Sequence, residues 1–369
     1  MKKLLFVLLS ILSMHLMANE PEGFPIIADM MHTELYDNTR FNDLKKAGFN
    51  ACFCRCKTNE VVINALEAAK PYGIKLIIFS HPIMRFPEKI VPFIKEHPSM
   101  WQYLLADEPK MDRLIELQQI QERIARYDPN AECYINLLPN TGKAMLKNIG
   151  VESYPQYLQA YSNRVQQPQI SYDFYPIHGK VVRDDIWYPI LEDIRKESLR
   201  TGRPFWAFIM GVPHHIYPQP TMEHLRLQCY VNLAYGAQGI QYFGYSTPEP
   251  TEQYDFRNGA LLRNGKKSST YKLICKMNAE LKPVANLFWQ SKVTAIEHRK
   301  CINGSVLVSH FEKGDARYTC FVNKSADRDV TFSVRPNDYA WRVQKNMKKS
   351  AVGRIYNLSA GDILILRNR

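Results

Sequence analysis

The sequence predicts a (β/α)8 TIM barrel followed by a small antiparallel β-sandwich. Eight short apolar runs recur at intervals of about 24 to 37 residues, the length that a strand, a crossover helix and two loops require. The runs are apolar throughout rather than alternating, as strands covered on both faces are. From about residue 292 the helical period vanishes and short alternating segments take over. An open doubly wound sheet is the alternative. It would be expected to carry a nucleotide site, and no GxGxxG or GxxxxGK[ST] follows the first strand.

Residues 1–18 stand apart from the barrel. Lys2 and Lys3 precede an apolar run from Leu4 to Leu12, and small or polar residues follow up to Ala18, the shape of a secretory signal peptide. The run is too short to span a bilayer, and no other stretch approaches about 18 uninterrupted apolar residues. The expectation is an exported chain, periplasmic or extracellular, with no membrane span.

The strands are expected at FPIIADMM, FNACFCRC, IKLIIFS, WQYLLADEP, ECYINLLP, QISYDFYP, PFWAFIMG and GIQYFGYS, beginning at Phe24, Phe49, Ile74, Trp101, Glu132, Gln169, Pro204 and Gly239. Between the second and third, Val61, Val62, Ala65, Leu66 and Ala69 follow a helical period, and Gly73 stands where a helix ends before a strand. Gly48 closes the first helix in the same way. Later crossovers fall at 111–126, 184–200, 222–235 and 269–287. The barrel is placed at 19–288 and the sandwich at 289–369, the latter built from SVLVSHFE, ARYTCFVN, VTFSVRP, YAWRVQ and DILILRN. Its expected role is to pack on the barrel and stabilise it.

With 369 residues, 46% hydrophobic and 12% aromatic, the chain can bury a large core, which excludes disordered and fibrous classes. Its net charge of +12, or +10 without residues 1–18, favours anionic surfaces weakly and leaves an acidic polysaccharide allowed. No aromatic-interleaved basic stripe or helix-turn-helix pattern points to nucleic acid. The eight cysteines show no CxxC pair and no Cys/His set at zinc spacing, so no metal or other cofactor is expected. Cys52, Cys54 and Cys56 alternate along one strand and cannot easily pair with one another. Cys301 and Cys320, in the C-terminal strands, could bridge in an oxidising compartment.

In this fold the chemistry sits at the C-terminal ends of the strands. There the sequence places Asp29, Arg55, His81, Asp107 with Glu108, Asn136, Asp173 with Tyr175, His214 and His215, and Tyr245 with Glu249. Carboxylates among aromatics and amides suit a sugar-cleaving site, where two carboxyl groups flank the scissile bond and aromatic faces hold the rings. Glu108, beside Asp107 and in apolar surroundings, suits general acid work because both influences raise its pKa. Trp206 on the seventh strand offers a stacking platform, or fills the core.

HPSMWQYLLADEP and YGAQGIQYFGYSTPEP are similar to segments of clan A glycoside hydrolases, especially barrel β-galactosidase-like proteins secreted by polysaccharide-degrading bacteria. That resemblance implies a glycosidase with Glu108 as acid/base. Two departures matter. The clan places Asn before its acid/base Glu, where this chain has Asp107. The clan's nucleophile is a Glu ending the seventh strand, yet no carboxylate occurs between Glu197 and Glu223. SYDF also resembles the sixth-strand motif of chitinase-like barrels, although Ala106 stands where those enzymes need an Asp.

The partner of Glu108 must then come from another strand. Asp173 is the first choice, Glu249 the second and Asp29 the third. With the seventh-strand Glu absent, the expectation is a wide gap between Glu108 and Asp173 that admits water. The leading reading is an exported hydrolase of oligo- or polysaccharide. Its competitor is a non-catalytic glycan-binding protein on the same barrel.

Overall fold

The computed structural model describes residues 20–30 and 32–369, and the leader expected over residues 1–18 lies outside them. Eight parallel strands close a barrel: β1 (Ile26–Met30), β2 (Ala51–Arg55), β3 (Lys75–Phe79), β4 (Met100–Asp107), β5 (Glu132–Leu137), β6 (Ile170–Asp173), β7 (Phe205–Met210) and β8 (Gly239–Phe243). Each falls within or beside one of the eight apolar runs, and β8 pairs with β1 to complete the ring.

The crossovers include α1 (Asn38–Lys46), α2 (Asn59–Ala69), α3 (Leu114–Ala125), α4 (Tyr154–Arg164), α5 (Asp184–Thr201), α6 (Met222–Tyr235) and α7 (Ser269–Phe288). Side chains of Asp37, Thr58, Thr221 and Ser268 cap α1, α2, α6 and α7 by accepting from early backbone N–H groups. The β3–β4 crossover breaks into short helical pieces, each with a proline in its first positions: Pro82, Pro87 and Pro92.

Strand alternation builds two cores. Ile27, Phe53, Ile77, Tyr134, Trp206 and Phe208 fill the barrel interior, while residues such as Ile26, Cys52, Cys54 and Leu76 face the helices. Polar Asp29, Arg55, Asn136 and Asp173 replace apolar side chains at the C-terminal end of the interior, which leaves that end open.

The C-terminal strands are β9 (Lys292–Cys301), β10 (Gly304–Lys313), β11 (Ala316–Asn323), β12 (Val330–Ser333), β13 (Tyr339–Val343), β14 (Lys349–Ser350), β15 (Ile355–Leu358) and β16 (Ile363–Asn368). A six-stranded sheet in the order β9-β10-β11-β16-β13-β14 packs against the pair β12-β15. Val306, Val308, Phe321, Leu364 and Leu366 face that pair, and the alternate residues Leu307, Phe311, Cys320, Val322, Ile363 and Ile365 belong to the barrel's outer core. Helix α6 lies between sheet and barrel. That burial explains why Leu225, Leu227, Cys229, Val231, Leu233 and Ala234 are apolar around its whole circumference. At Gly361 (φ +64°) the sheet comes so close to α6 that a Cβ would stand 2.4 Å from the Glu223 carbonyl oxygen.

The Cys301–Cys320 bridge is ruled out. Along β10 their partners are Gly304 and Ser309, five residues apart and so about 17 Å. Cys301 packs toward β12-β15 and Cys320 toward the barrel. Both thiols are free.

Candidate active site

The open end of the barrel is a cavity of about 620 Å³. Its shape begins with an irregularity in β4, whose register slips between Leu104 and Ala106 so that Asp107 aligns with Asn136 of β5. Glu108 then adopts φ +51°, and its N–H donates to the Asn136 carbonyl at 2.9 Å. Neighbours on a regular strand point opposite ways. The left-handed step breaks that rule, so Asp107 and Glu108 both line the cavity. Such a conformation costs a non-glycine residue on the order of 1–3 kcal/mol, a strain that clusters at functional sites.

Helix α4 holds the kink from behind. Tyr157 donates to the Pro109 carbonyl and Tyr161 to the Lys110 carbonyl, each at 2.7 Å. Tyr157 also accepts from the Leu138 N–H at 3.3 Å.

A hydrogen-bonded column rises from the barrel interior to the carboxylates. Tyr134 donates to Gln241 Oε1 (2.7 Å), Gln241 Nε2 donates to Ser171 Oγ (2.9 Å), and Ser171 donates to Asn136 Oδ1 (2.9 Å). This orients the Asn136 amide so that Nδ2 donates to Asp173 Oδ1 at 2.9 Å and reaches Asp107 Oδ1 at 3.3 Å. On the other side, Arg55 pairs with Asp29 at 2.6 Å and meets Asp107 at 3.5 Å. Burial alone would push Arg55 down, but Asp29 and Asp107 outweigh it and hold the guanidinium charged.

Glu108 and Asp173 line the same cavity and act on each other's titration. Desolvation raises both above the ordinary carboxylate range, and like charge adds to it, from Asp107 on Glu108 and from Glu108 and Asp107 on Asp173. Two carboxyls that influence each other in this way titrate together, and the raised step belongs to the pair.

Aromatic rings form the walls. Phe53 stacks on Phe208 at 5.5 Å and Tyr175 on Phe243 at 5.6 Å, while Tyr217, Tyr254 and Phe256 lean in from loops. His214 is buried in this wall, 4.4 Å from the Phe256 ring, and burial lowers its pKa. Tyr175 is held un-ionised, first by burial and then by Asp173 and the other nearby carboxylates.

Of the residues expected from sequence, Asp29, Arg55, Asp107, Glu108, Asn136, Asp173, Tyr175 and His214 line the cavity. Asp29 is 2% exposed and engaged by Arg55, which removes it as a free partner for Glu108. Four others do not belong to this cavity. Trp206 sits near the start of β7, at the N-terminal end of the barrel, against Trp101 at 5.1 Å; it lines a separate cavity of about 610 Å³. Phe208, two residues later and so one interior layer higher, supplies the ring at the mouth. Tyr245 is wholly buried behind the barrel against Phe49. Glu249 is 68% exposed, 3.4 Å from Arg263, and cannot inherit the partner role. His81 is exposed on the adjoining rim beside Phe79.

Tyr134, Ser171 and Gln241 were missed although all lie on expected strands. Their inward direction follows from counting by two from Asn136, Asp173 and Phe243. Tyr217, Tyr254 and Phe256 come from loops, where no period marks direction.

Among solved structures, the chain is similar to a protein described as a "putative alpha-L-fucosidase" from Bacteroides thetaiotaomicron VPI-5482, with a TM-score of 0.46 and 9% identity over 73% of this chain and 95% of that one. No protein-family model matches the chain. No curated protein matches its sequence.

Proposed function

We propose that the chain is a glycoside hydrolase in which the Glu108–Asp173 pair supplies the general acid. The observation that carries this reading is a pair of carboxyls, Glu108 on a left-handed strand end and Asp173 from β6, lining one aromatic-walled cavity at the barrel mouth. Glu108 donates the proton to the leaving-group oxygen, and Asp173, fixed by Asn136, holds that proton in place beforehand. Asp107, 57% exposed into the cavity and braced by Arg55 and Asn136, faces the positive charge that develops on the sugar ring. The stacked rings provide faces for the sugar. The leader-like segment 1–18 supports export, so the substrate is met outside the cytoplasm.

A second reading, a glycan-binding protein without catalysis, is favoured by one observation. Strand β7 delivers Phe208 and Met210 to the region where the resembling hydrolases carry a carboxylate.

One experiment separates them. Purified protein is incubated with a panel of aryl glycosides and oligosaccharides, and Glu108→Gln is run beside the wild type. The expected result is turnover that falls about a hundredfold or more in the variant, less for substrates with activated leaving groups. Equal rates would remove Glu108 from the mechanism. Binding by calorimetry with no product from the wild type would establish the second reading.

A further inference from the structure

A second depression, of about 660 Å³, lies on the rim between the ends of β3 and β4 and shares Arg55, Leu104 and Asp107 with the mouth cavity. Its charges do not balance. Arg55, Arg85, Arg113, Arg123 and His81 line it, against only Asp107 and Glu116. Arg55 is taken up by Asp29 and Asp107, and Arg113 by Glu116 at 2.5 Å. Arg85 and Arg123 form no salt bridge among the described residues. Arg85 is exposed. Arg123 donates through Nη2 to the Met84 carbonyl at 3.1 Å, while its buried Nε has no hydrogen-bond partner among the described residues. Two guanidiniums are thus unclaimed by any carboxylate, in a hollow continuous with the site where the saccharide would be cleaved.

We propose that this rim is an anion subsite and that the saccharide taken at the mouth is acidic, its oxyanion group seated against Arg85 and Arg123. The inference rests on the glycoside hydrolase reading and deepens it. Guanidinium groups match planar and tetrahedral oxyanions through paired N–H donors, and a hollow with an excess of them selects charged over neutral substituents. A sugar ring between the Phe53–Phe208 stack and Asp107 would place the substituents of a neighbouring residue toward the rim.

The test uses oligogalacturonides and hyaluronan oligosaccharides with their carboxyl-reduced forms, and chondroitin sulfate oligosaccharides with their desulfated forms. Each pair is measured for turnover and for calorimetric binding with wild type and with Arg85→Gln, an exposed substitution that spares the fold. The expected result is a preference of about tenfold or more for the charged form of at least one pair, weaker at high salt, and reduced toward unity in Arg85→Gln. Preference lost on carboxyl reduction assigns a uronate, and preference lost on desulfation assigns a sulfate. Cleavage without charge preference, or a preference unchanged in Arg85→Gln, overturns the subsite and leaves the hydrolase standing. Charge-selective, Arg85-dependent binding without product keeps the subsite and removes the hydrolase. No binding and no cleavage of any probe overturns the subsite.

Discussion

The chemistry rests on a few atoms whose positions are over-determined. Asn136 receives from Ser171, gives to Asp173 and Asp107, and through its carbonyl accepts the N–H of Glu108. Asp173→Asn tests the electrostatic coupling of the two carboxyls directly. With the like charge gone, the raised upper step of the pair collapses, so the alkaline limb of the pH–activity profile moves to lower pH. The same change affects stability. A carboxyl whose folded pKa is raised contributes stability that is fully present below its ordinary pKa, about 4, and lost as pH rises through the raised one. Removing that liability should raise Tm by a few degrees at pH 8 and by little at pH 4. An identical gap at both pH values, read by calorimetry, would show that Asp173 is not desolvated beside Glu108.

At the scale of the element, β4 and α4 act together. The slip and left-handed step at the end of β4 would relax toward a regular strand without a support, and α4 provides it through two tyrosines at helical spacing, Tyr157 and Tyr161. Tyr157→Phe leaves the buried Leu138 N–H and Pro109 carbonyl without their hydroxyl partner. The expected cost is about 1–2 kcal/mol in denaturant unfolding. Turnover should fall more than stability loss explains, because Glu108 is displaced while the aromatic walls remain, with kcat changing more than KM. A drop in KM alone, with kcat kept, would separate α4 from the positioning of Glu108.

At the scale of the molecule, the C-terminal sheet is tied to the barrel by apolar packing on α6, by the Lys324–Asp184 pair at 3.2 Å and by an ionic knot around Glu280. Glu280 of α7 binds Arg226 of α6 at 2.6 Å and Lys345 of the β13–β14 loop at 2.6 Å, and accepts from Tyr230 at 2.7 Å. Burial would raise its pKa, yet these three hydrogen bonds more than compensate and bring it down to about 2. A depressed carboxyl contributes stability that is present above its ordinary pKa and lost as pH falls through the depressed one. Glu280→Gln should therefore cost about 2 kcal/mol near neutrality and little at pH 2, which flattens the acid limb of the stability profile. Equal destabilisation at both pH values would mean that the knot acts by packing alone.

The sequence by itself determined the eight strands, the order of the two modules and most of the cavity's polar residues, because burial imposes a period and the end of each apolar run marks the barrel mouth. Asp29, Arg55, Asp107, Glu108, Asn136 and Asp173 were legible for that reason. Only the tertiary structure decided depth and distance. Trp206 and Phe208 have the same chemistry and share an inward direction, yet their layers put one at the floor and the other at the mouth. Glu249 follows β8 as Glu108 follows β4, but its loop carries it outward to Arg263. That Asp107 and Glu108 both face the cavity depends on a bulge and a positive φ, local choices that the α4 tyrosines stabilise from more than forty residues away along the chain. Spacing along a chain carries the period of an element, whereas the separation of two side chains across a barrel is set by closure, register and packing, which no local pattern encodes.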